Sequence, residues 1–311
     1  MIMGFIDQMR AEGHAVESVC RVLRQEGCQI AARTYRAWRH RSASARDTSD
    51  AVLLNVLHDL VGTPEGLYGR RKMTAWLRRQ GHQVGAGRVD RLMRVAGMNG
   101  VRRGRPVRTT IPAKDGHRAG DLLNRDFTAA APNTKWVADF TYVRTWAGFV
   151  YVAFVLDCYS QKVVAWHAAT SKTTPLVLTP LRIALWERDR AGHPVQPGEL
   201  IAHSDAGSQY TSLRFAEHLA AEGIAASIGT VADAYDNALM ECVIGLYKTE
   251  CITTTIFHDS PYKTIADVEY ATAGWVEWYN NRRLHSSLAM TTPAEYETAY
   301  YAALNRELAP T

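Results

Sequence analysis

Several absences narrow the class of protein before any motif is considered. The 311 residues include only five cysteines, an odd number, and no two of them form a C-x-x-C pair. A disulfide framework and a four-cysteine zinc site are therefore not expected, and a reducing cytoplasm is the expected location. No apolar run approaches the roughly 20 residues that cross a bilayer. Residues 1–10 also lack the pattern of a signal peptide, so no membrane contact is expected.

The chain has little of what marks a disordered or coiled-coil protein. Hydrophobic residues make up 47% and charged residues 22%, which is the balance of a globular chain with a real core. We find no internal repeat and no leucine heptad, so a dimerising segment is not expected within this chain. The length allows two or three domains.

Acidic residues are scarce in the first part of the chain. Residues 1–130 hold 23 Lys and Arg against 12 Asp and Glu, a balance of +11, whereas residues 131–311 hold 13 against 19, a balance of −6. Such asymmetry indicates nucleic acid binding by the front part and another role for the rest. A basic domain that is merely soluble remains the alternative.

The front part predicts two all-α modules that precede a linker. In residues 1–46, a helix around Val16–Leu23, a break at Gly27 and a second helix over Ala31–His40 resemble a helix-turn-helix, with Arg41–Ser49 as a linker. Residues 47–98 predict further helices with arginine-rich polar faces, and residues 99–130 predict a basic linker that follows phosphates. An interaction bundle is the alternative for each helical unit. The predicted DNA-contacting residues in this part are Arg33, Arg36, Arg39, Arg70, Arg71, Arg102 and Arg103.

The pattern changes after residue 130. Trp136–Tyr142, Phe149–Asp157 and Lys162–Ala168 are β-branched and aromatic runs that predict three consecutive strands. Helices and short strands alternate after them. This order predicts a mixed α/β sheet with helices on both faces.

Three acidic residues stand where catalytic chemistry would use them. Asp139 lies inside an apolar strand, where an ionised carboxylate is costly unless it is paired or bound to metal. Asp205 ends a short strand, and Glu241 lies one turn into a predicted helix. Three converging carboxylates suit Mg²⁺ or Mn²⁺, and two such ions serve phosphoryl transfer. Three unrelated acids, each with a structural role, remain the alternative.

Helical geometry separates two further residues. Lys248 follows Glu241 by seven residues and returns to nearly the same helical face, whereas Glu250 is turned about 180° away. We therefore expect Lys248 to face the cleft with Glu241, and Glu250 to point outward.

The surroundings of the three acids carry a family resemblance. Asp139, Asp205 and Glu241, with 35 residues between the last two, resemble the D, D-35-E signature of DDE transposases and retroviral-type integrases. The flanking motifs are similar to the second-frame product of insertion-sequence transposases of the IS-three group. These motifs are Trp136-Val-Ala-Asp-Phe-Thr-Tyr142, His203-Ser-Asp-Ala-Gly-Ser-Gln-Tyr210, Asp236-Asn-Ala-Leu-Met-Glu241, Tyr247-Lys-Thr-Glu250 and Tyr279-Asn-Asn-Arg-Arg-Leu-His285.

The resemblance implies a ribonuclease H-like mixed sheet over residues 131–298, with residues 299–311 as a C-terminal tail. It also implies that Asp139, Asp205 and Glu241 hold a pair of Mg²⁺ or Mn²⁺ ions, that Lys248 touches the DNA end, and that the enzyme cleaves and joins DNA strands. Ala206 and the Met240-Glu241-Cys242 sequence depart from many relatives without removing a catalytic group. No His-His-Cys-Cys pattern precedes the core, so a zinc module is not expected.

The remaining predictions concern partners. Arg282, Arg283 and His285 follow a predicted helix and are expected to contact DNA phosphates, with helix capping as the alternative. We expect double-stranded DNA as the main partner, a homo-oligomer in the DNA complex, and a possible fusion to an upstream frame. A DNA-binding regulator with an inactive core and a nuclease without joining activity are the two rival functions.

Overall fold

The computed structural model describes residues 2–102, 122–123, 126–205, 209–210, 212–228, 237–259 and 261–308. The chain divides into two compact units, residues 1–56 and residues 57–311. None of the helices in these described ranges is both long and apolar enough to span a membrane. All five cysteines are free thiols.

The first unit is helical, as its sequence predicts. It contains α1 (Ile2–Ala11), α2 (Val16–Gln25), α3 (Ala32–Arg39) and the beginning of α4 (Ala45–Asp59). Their apolar faces meet in a small core that includes Ile6, Cys20 and Tyr35. The Tyr35 hydroxyl donates to Asp7 and accepts from Arg10, which ties α3 to α1. Helix α1 was not predicted, but the α2–turn–α3 order matches the expected helix-turn-helix arrangement.

The predicted linker over Arg41–Ser49 is wrong in its second half, because α4 begins at Ala45. Ser44 and Asp47 exchange hydrogen bonds: the Asp47 backbone N–H donates to Ser44 Oγ, and the Ser44 N–H donates to Asp47 Oδ2. This reciprocal cap satisfies N–H groups at the helix start, so polar residues here begin a helix. Helix α4 runs across the predicted domain boundary between residues 46 and 47.

The second unit begins with the rest of the arginine-rich helices. A short 3₁₀ helix (Pro64–Leu67), α5 (Arg70–Arg79) and α6 (Ala86–Val95) pack against the C-terminal part of the same unit. The Tyr68 hydroxyl accepts from the Leu284 backbone N–H at 3.0 Å and donates to the Arg282 carbonyl at 3.2 Å. The Trp278 indole N–H donates to Glu65 Oε1 at 3.0 Å. Residues 57–98 therefore form one compact body with the sheet that follows.

The described residues contain a five-stranded sheet in the order β3-β2-β1-β4-β5. Strands β1 (Lys135–Thr145), β2 (Gly148–Asp157) and β3 (Val163–Ala169) form an antiparallel meander. Strands β4 (Ile201–Ser204) and β5 (Ala225–Ile228) add in parallel on the other side of β1. The mixed sheet with flanking helices confirms the predicted fold class.

Alternation along β2 divides the interior into two layers. Ala153 and Val155 face one core, built with α7 (Thr174–Arg190) and α8 (Leu213–Ala221). Phe154 faces the other layer and meets Tyr247 and Trp275 edge-on at ring separations of 5.0 and 6.1 Å. Because successive strand side chains point to opposite faces, one strand supports helices on both sides of the sheet.

The second layer holds the elements that reach the candidate site. Helix α9 (Ala238–Leu246) continues into a π-helix (Tyr247–Ile252), and α10 (Ile265–Asn281) and α11 (Pro293–Leu308) follow. The π-helix was not predicted. Helix α11 extends through residues that the sequence predicted as a C-terminal tail, and its Glu297 forms a buried ion pair with Arg188 of α7.

Candidate active site where strand β4 ends beside β1

Asp139 lies on the central strand, just beyond the point where its neighbour ends. Strand β4 pairs with β1 only as far as Ser204, which stands opposite Ala138. Asp139 is therefore the first β1 residue without a β4 partner, and its side chain is half-buried. Its Oδ1 accepts a hydrogen bond from the Phe140 backbone N–H at 2.7 Å.

Asp205 directly follows β4, so the strand register brings it beside Asp139. In open α/β sheets the carboxyl ends of strands are where ligand-binding groups collect. Strand β4 is anchored behind this point by His203, which is buried and whose Nδ1 lies 2.8 Å from Ser227 Oγ on β5. His203 is thus a packing residue of the sheet.

Glu241 reaches the same place from helix α9. The helix packs against β1, and the Asn237 side-chain amide donates to the Ala138 carbonyl at 3.3 Å. Glu241 stands in the first turn of α9 and is exposed. Its side chain is therefore on the solvent side of the site.

The charges of Asp205 and Glu241 both act on Asp139. Burial raises the pKa of Asp139 well above its usual value, and the charges of Asp205 and Glu241 raise it further. The Phe140 N–H and the Lys248 ammonium oppose this rise. Three carboxylates that repel one another at one place form a site that favours a cation.

Lys248 is the basic residue of this site. It lies on the π-helix that extends α9, and Asp139 acts against the lowering of the Lys248 pKa that burial causes. Its Nζ also lies 5.1 Å from the centre of the Tyr142 ring. The predicted proximity of Lys248 to the carboxylates therefore agrees with its placement.

Tyr210 is a residue at the site whose role the sequence analysis missed. Burial raises the Tyr210 pKa well above its usual value, and Asp139 and Asp205 raise it further. The hydroxyl is buried and has no hydrogen-bond partner among the described residues. A neutral donor thus stands beside two carboxylates. Its position five residues after Asp205, in the quoted motif, is the signal that could have identified it.

The three acids do not already form a coordination cage. Over the described ranges, no group of three or more His, Cys, Asp or Glu side chains is arranged to hold a metal ion. Ala206 lies outside the described residues, as do residues 207 and 208.

Comparison with known proteins identifies the family. Models of the integrase core domain match residues 129–234 and 222–293, and a model of an HTH-like domain matches residues 52–106. A putative transposase of the insertion sequence IS986/IS6110 from Mycobacterium tuberculosis is 44% identical over 280 residues, 90% of this chain and 99% of that protein. The chain belongs to the insertion-sequence transposases with an integrase core.

Other relatives extend the similarity over nearly the whole chain. The transposase of IS629 from Shigella sonnei is 42% identical over 311 residues, which is 98% of this chain and 99% of that protein. Among solved structures, the intasome of simian T-cell lymphotropic virus in complex with a PP2A regulatory subunit matches 74% of this chain and 70% of that one, at 16% identity and a TM-score of 0.42. The predicted family and transposase function are confirmed.

Several of the transposase's predicted DNA-contacting residues lie on the surface. Those that are exposed are Arg33, Arg36, Arg39, Arg70, Arg71, Arg102 and Arg282, and Arg103 lies outside the described residues. Arg36 pairs with Glu17 on α2, and Arg70 lies 3.9 Å from Asp90 on α6. Exposed pairs of this kind contribute little to stability, so both arginines remain accessible to phosphate.

The predicted DNA contacts of Arg283 and His285 need correction, because both side chains are buried at 4% exposure. Arg283 Nε donates to Glu250 Oε2 at 2.9 Å, and its NH2 group donates to Oε1 at 2.5 Å. His285 Nε2 lies 3.3 Å from the Tyr279 carbonyl, and burial lowers the His285 pKa to about 2, so its ring is neutral. Neither side chain presents a charge to DNA.

The expectation that Glu250 points outward is also wrong, because its side chain is buried. Glu250 does lie away from the carboxylates, but the helix face opposite the catalytic site packs into the interior. Its partner Arg283 also influences Lys72 of α5: burial and the Arg283 charge together lower the Lys72 pKa to about 7, against the opposing effect of Glu250. An ionic cluster thus lies between the arginine-rich helices and the π-helix that carries Lys248.

Proposed function

We propose that Asp139, Asp205 and Glu241 are the catalytic carboxylates of a DNA strand transferase that binds two Mg²⁺ or Mn²⁺ ions. The enzyme hydrolyses one strand at each end of its insertion sequence, which frees a 3′-hydroxyl, and then directs that hydroxyl at a phosphodiester of the target. The observation that carries this proposal is the position of Asp139, which lies within β1 at the point where β4 ends before Asp205 and is acted on by the charges of Asp205 and Glu241.

The donor set fits a hard divalent cation. Carboxylate oxygens are the ligands that Mg²⁺ and Mn²⁺ prefer, and no sulfur or imidazole ligand is needed. The buried Tyr210 hydroxyl, which has no partner within the described segments, is available to donate to a carboxylate that holds an ion. Bound ions would supply charge neutralisation and activation of the attacking oxygen.

The protein's own residues have distinct roles in this proposal. Asp139 and Asp205 present their carboxylates from the rigid end of the sheet, which limits their reorganisation during the reaction. Glu241 stands on the exposed side and completes the set from a separate helix. Lys248, close to Asp139, offers a positive charge to the phosphate of the DNA end.

The arginine-rich helices supply DNA recognition. Helix α3 carries Arg33, Arg36 and Arg39 on an exposed surface, and its place after a short turn is that of a recognition helix. The matched HTH-like domain supports DNA binding by residues 52–106 as well. Because the element has two ends, we propose that two or more copies of the chain act together on DNA.

The test of the triad uses three conservative substitutions. Asp139→Asn, Asp205→Asn and Glu241→Gln should each abolish Mg²⁺-dependent cleavage and the joining of a pre-cleaved end, because each removes a charge that holds an ion. DNA binding should persist. Glu187→Gln, on the exposed surface of α7, is the matched control and should retain both activities.

Two outcomes would contradict the proposal. Substantial activity in any one of the triad variants would show that this residue is not a ligand. If the unaltered protein cleaves an intact end but does not join a pre-cleaved end, the nuclease alternative is favoured.

A further inference from the structure

The hairpin between β1 and β2 exposes three large aromatic side chains, and one of them, Tyr142, contacts Lys248 of the candidate catalytic site. Tyr142 is 41% exposed, Phe149 is 50% exposed and Trp146, in the two-residue turn, is 74% exposed. Tyr142 and Phe149 stand on neighbouring strands and meet edge-on, with ring centres 5.3 Å apart. We call these three residues the aromatic platform.

The position of the platform is fixed relative to the carboxylates. Tyr142 follows Asp139 by three residues on β1, so their Cα atoms lie about 10 Å apart at about 3.3 Å per residue and their side chains leave opposite faces of the strand. Lys248 connects the two, since its Nζ lies 5.1 Å from the centre of the Tyr142 ring and its charge acts on Asp139. The turn is held at its far end, where the Trp146 N–H donates to the Tyr262 carbonyl at 3.1 Å and the Ala147 N–H donates to the Lys263 carbonyl at 3.0 Å. The platform is therefore part of a rigid hairpin.

Positive charge accompanies each part of the platform. Lys248 Nζ lies 5.1 Å from the centre of the Tyr142 ring, and Lys263 Nζ lies 5.9 Å from the centre of the Trp146 ring. Arg144 is exposed on the strand between them. The seventeen residues from Phe140 to Leu156 include no Asp or Glu. A polyanion can thus approach these rings without meeting a negative side chain from the hairpin.

We propose that the aromatic platform binds unpaired bases of the DNA end beside the reacting phosphate. Exposed rings flanked by cations are the arrangement that binds single-stranded nucleic acid, because each base stacks on a ring while its phosphate meets a cation. This inference rests on the proposed function, since Lys248 links the platform to the catalytic carboxylates.

The competing occupant of an exposed apolar surface is a second copy of the chain. Charge complementarity favours DNA. In a symmetric dimer that pairs one platform with another, Arg144, Lys248 and Lys263 of one copy would face the same three cations of the second copy. Like charges at such an interface are costly. Self-association is therefore an outcome to be measured, and it would count against the proposal.

The experiment measures preference for unpaired DNA with the full chain in excess chelator. Fluorescence anisotropy gives the Kd for a blunt duplex and for the same duplex with a short unpaired tail that contains 2-aminopurine. The unaltered protein should prefer the tailed duplex and change the 2-aminopurine emission. Tyr142→Ala/Phe149→Ala should reduce that preference roughly tenfold, which is within the range for loss of base stacking.

The matched control is Trp186 on α7. It is also an exposed tryptophan, at 54%, with the Arg190 guanidinium 5.2 Å from its ring centre. Trp186→Ala should leave the preference for tailed DNA unchanged. Tyr142→Leu/Phe149→Leu keeps apolar bulk without rings, and it should lose the preference as the alanine pair does while it retains the melting temperature of the unaltered protein.

Three results would overturn the proposal. The first is an equal preference for the tailed duplex in the unaltered and double-alanine proteins. The second is a loss of this preference in Trp186→Ala as large as that in the double-alanine protein. The third is a double-alanine protein that no longer self-associates but keeps its preference for the tailed duplex. The measurement needs neither metal nor turnover, so its result does not depend on which residues hold the ions. A wrong assignment of the triad would therefore leave this result standing, and a wrong platform would leave the triad standing.

Discussion

The buried ion pair between Arg283 and Glu250 allows a direct test of whether Arg283 stabilises the fold or contacts DNA. Arg283→Met removes a guanidinium that makes three hydrogen bonds to the Glu250 carboxylate and leaves that carboxylate 4% exposed without its cation. Removing one partner of a buried pair costs about 3–5 kcal/mol. Total stabilities are about 5–15 kcal/mol, so the loss should be large.

The double variant separates the pair from the rest of the packing. Glu250→Gln removes the charge but keeps an oxygen for the Trp275 indole N–H, which lies 3.4 Å from Glu250 Oε2. Arg283→Met/Glu250→Gln should therefore recover most of the lost stability, since replacing a buried ion pair by neutral groups is often nearly neutral. We expect a coupling energy of about 2–3 kcal/mol from the double-mutant cycle.

The assay is chemical denaturation followed by tryptophan fluorescence, with DNA affinity measured over a range of salt concentrations. Arg282→Met is the control: this neighbouring arginine is half exposed, lies near Glu65 and Glu277, and should cost about 1 kcal/mol or less. Arg283→Met should leave the salt dependence of DNA binding unchanged. A cost below about 1 kcal/mol for Arg283→Met, together with a weaker salt dependence, would restore Arg283 as a DNA contact and refute the structural reading.

Four further predictions concern the metal ions, DNA recognition, the Tyr210 hydroxyl and the effect of pH on stability. Excess chelator should stop cleavage and joining while DNA binding persists, and full activity in chelator would remove the proposed mechanism. Arg36→Ala/Arg39→Ala should reduce discrimination between terminal and random duplexes. Arg102→Ala should instead weaken binding of both duplexes about equally, because a basic linker contacts phosphates and not bases. Titration of both duplexes at two salt concentrations distinguishes these outcomes. Tyr210→Phe should leave the melting temperature nearly unchanged but slow joining about tenfold, as expected for loss of a hydrogen bond to a charged group, and an unchanged rate would exclude the hydroxyl from the site. Lys72 loses its proton near pH 7 in the folded protein but only at about pH 10 in the unfolded chain. As pH rises between these values, the unaltered protein should therefore gain stability relative to Lys72→Met, as measured by chemical denaturation.

Much of the catalytic core could be predicted because its signals are local. The β-branched and aromatic runs within residues 136–168 predicted three strands, and the structure has β1, β2 and β3 there. The placement of Asp139 inside an apolar strand and of Asp205 at a strand end followed from the same patterns. The short strands β4 and β5 were also recognised, with ends that differ by one or two residues.

Helical periodicity predicted relative directions but not which direction faced solvent. Lys248 approaches Asp139, as its spacing from Glu241 predicted, and Glu250 lies elsewhere. The face opposite the carboxylates was expected to be exposed, yet α10 covers it there, and Arg283, which follows α10, is the ion-pair partner of Glu250. A helical projection assigns angles to side chains, and it does not say which neighbour covers each angle.

The sequence by itself determined the family, the order of the strands along the chain and the three candidate carboxylates, because these depend on local pattern and on motifs. Only the tertiary structure decided which charges are accessible. It placed Arg283 and His285 in the interior, brought Tyr210 beside Asp139 and Asp205, and left Tyr142 and Phe149 exposed near Lys248. Burial is a property of contacts between residues that are distant in sequence, and composition at one position does not specify those contacts.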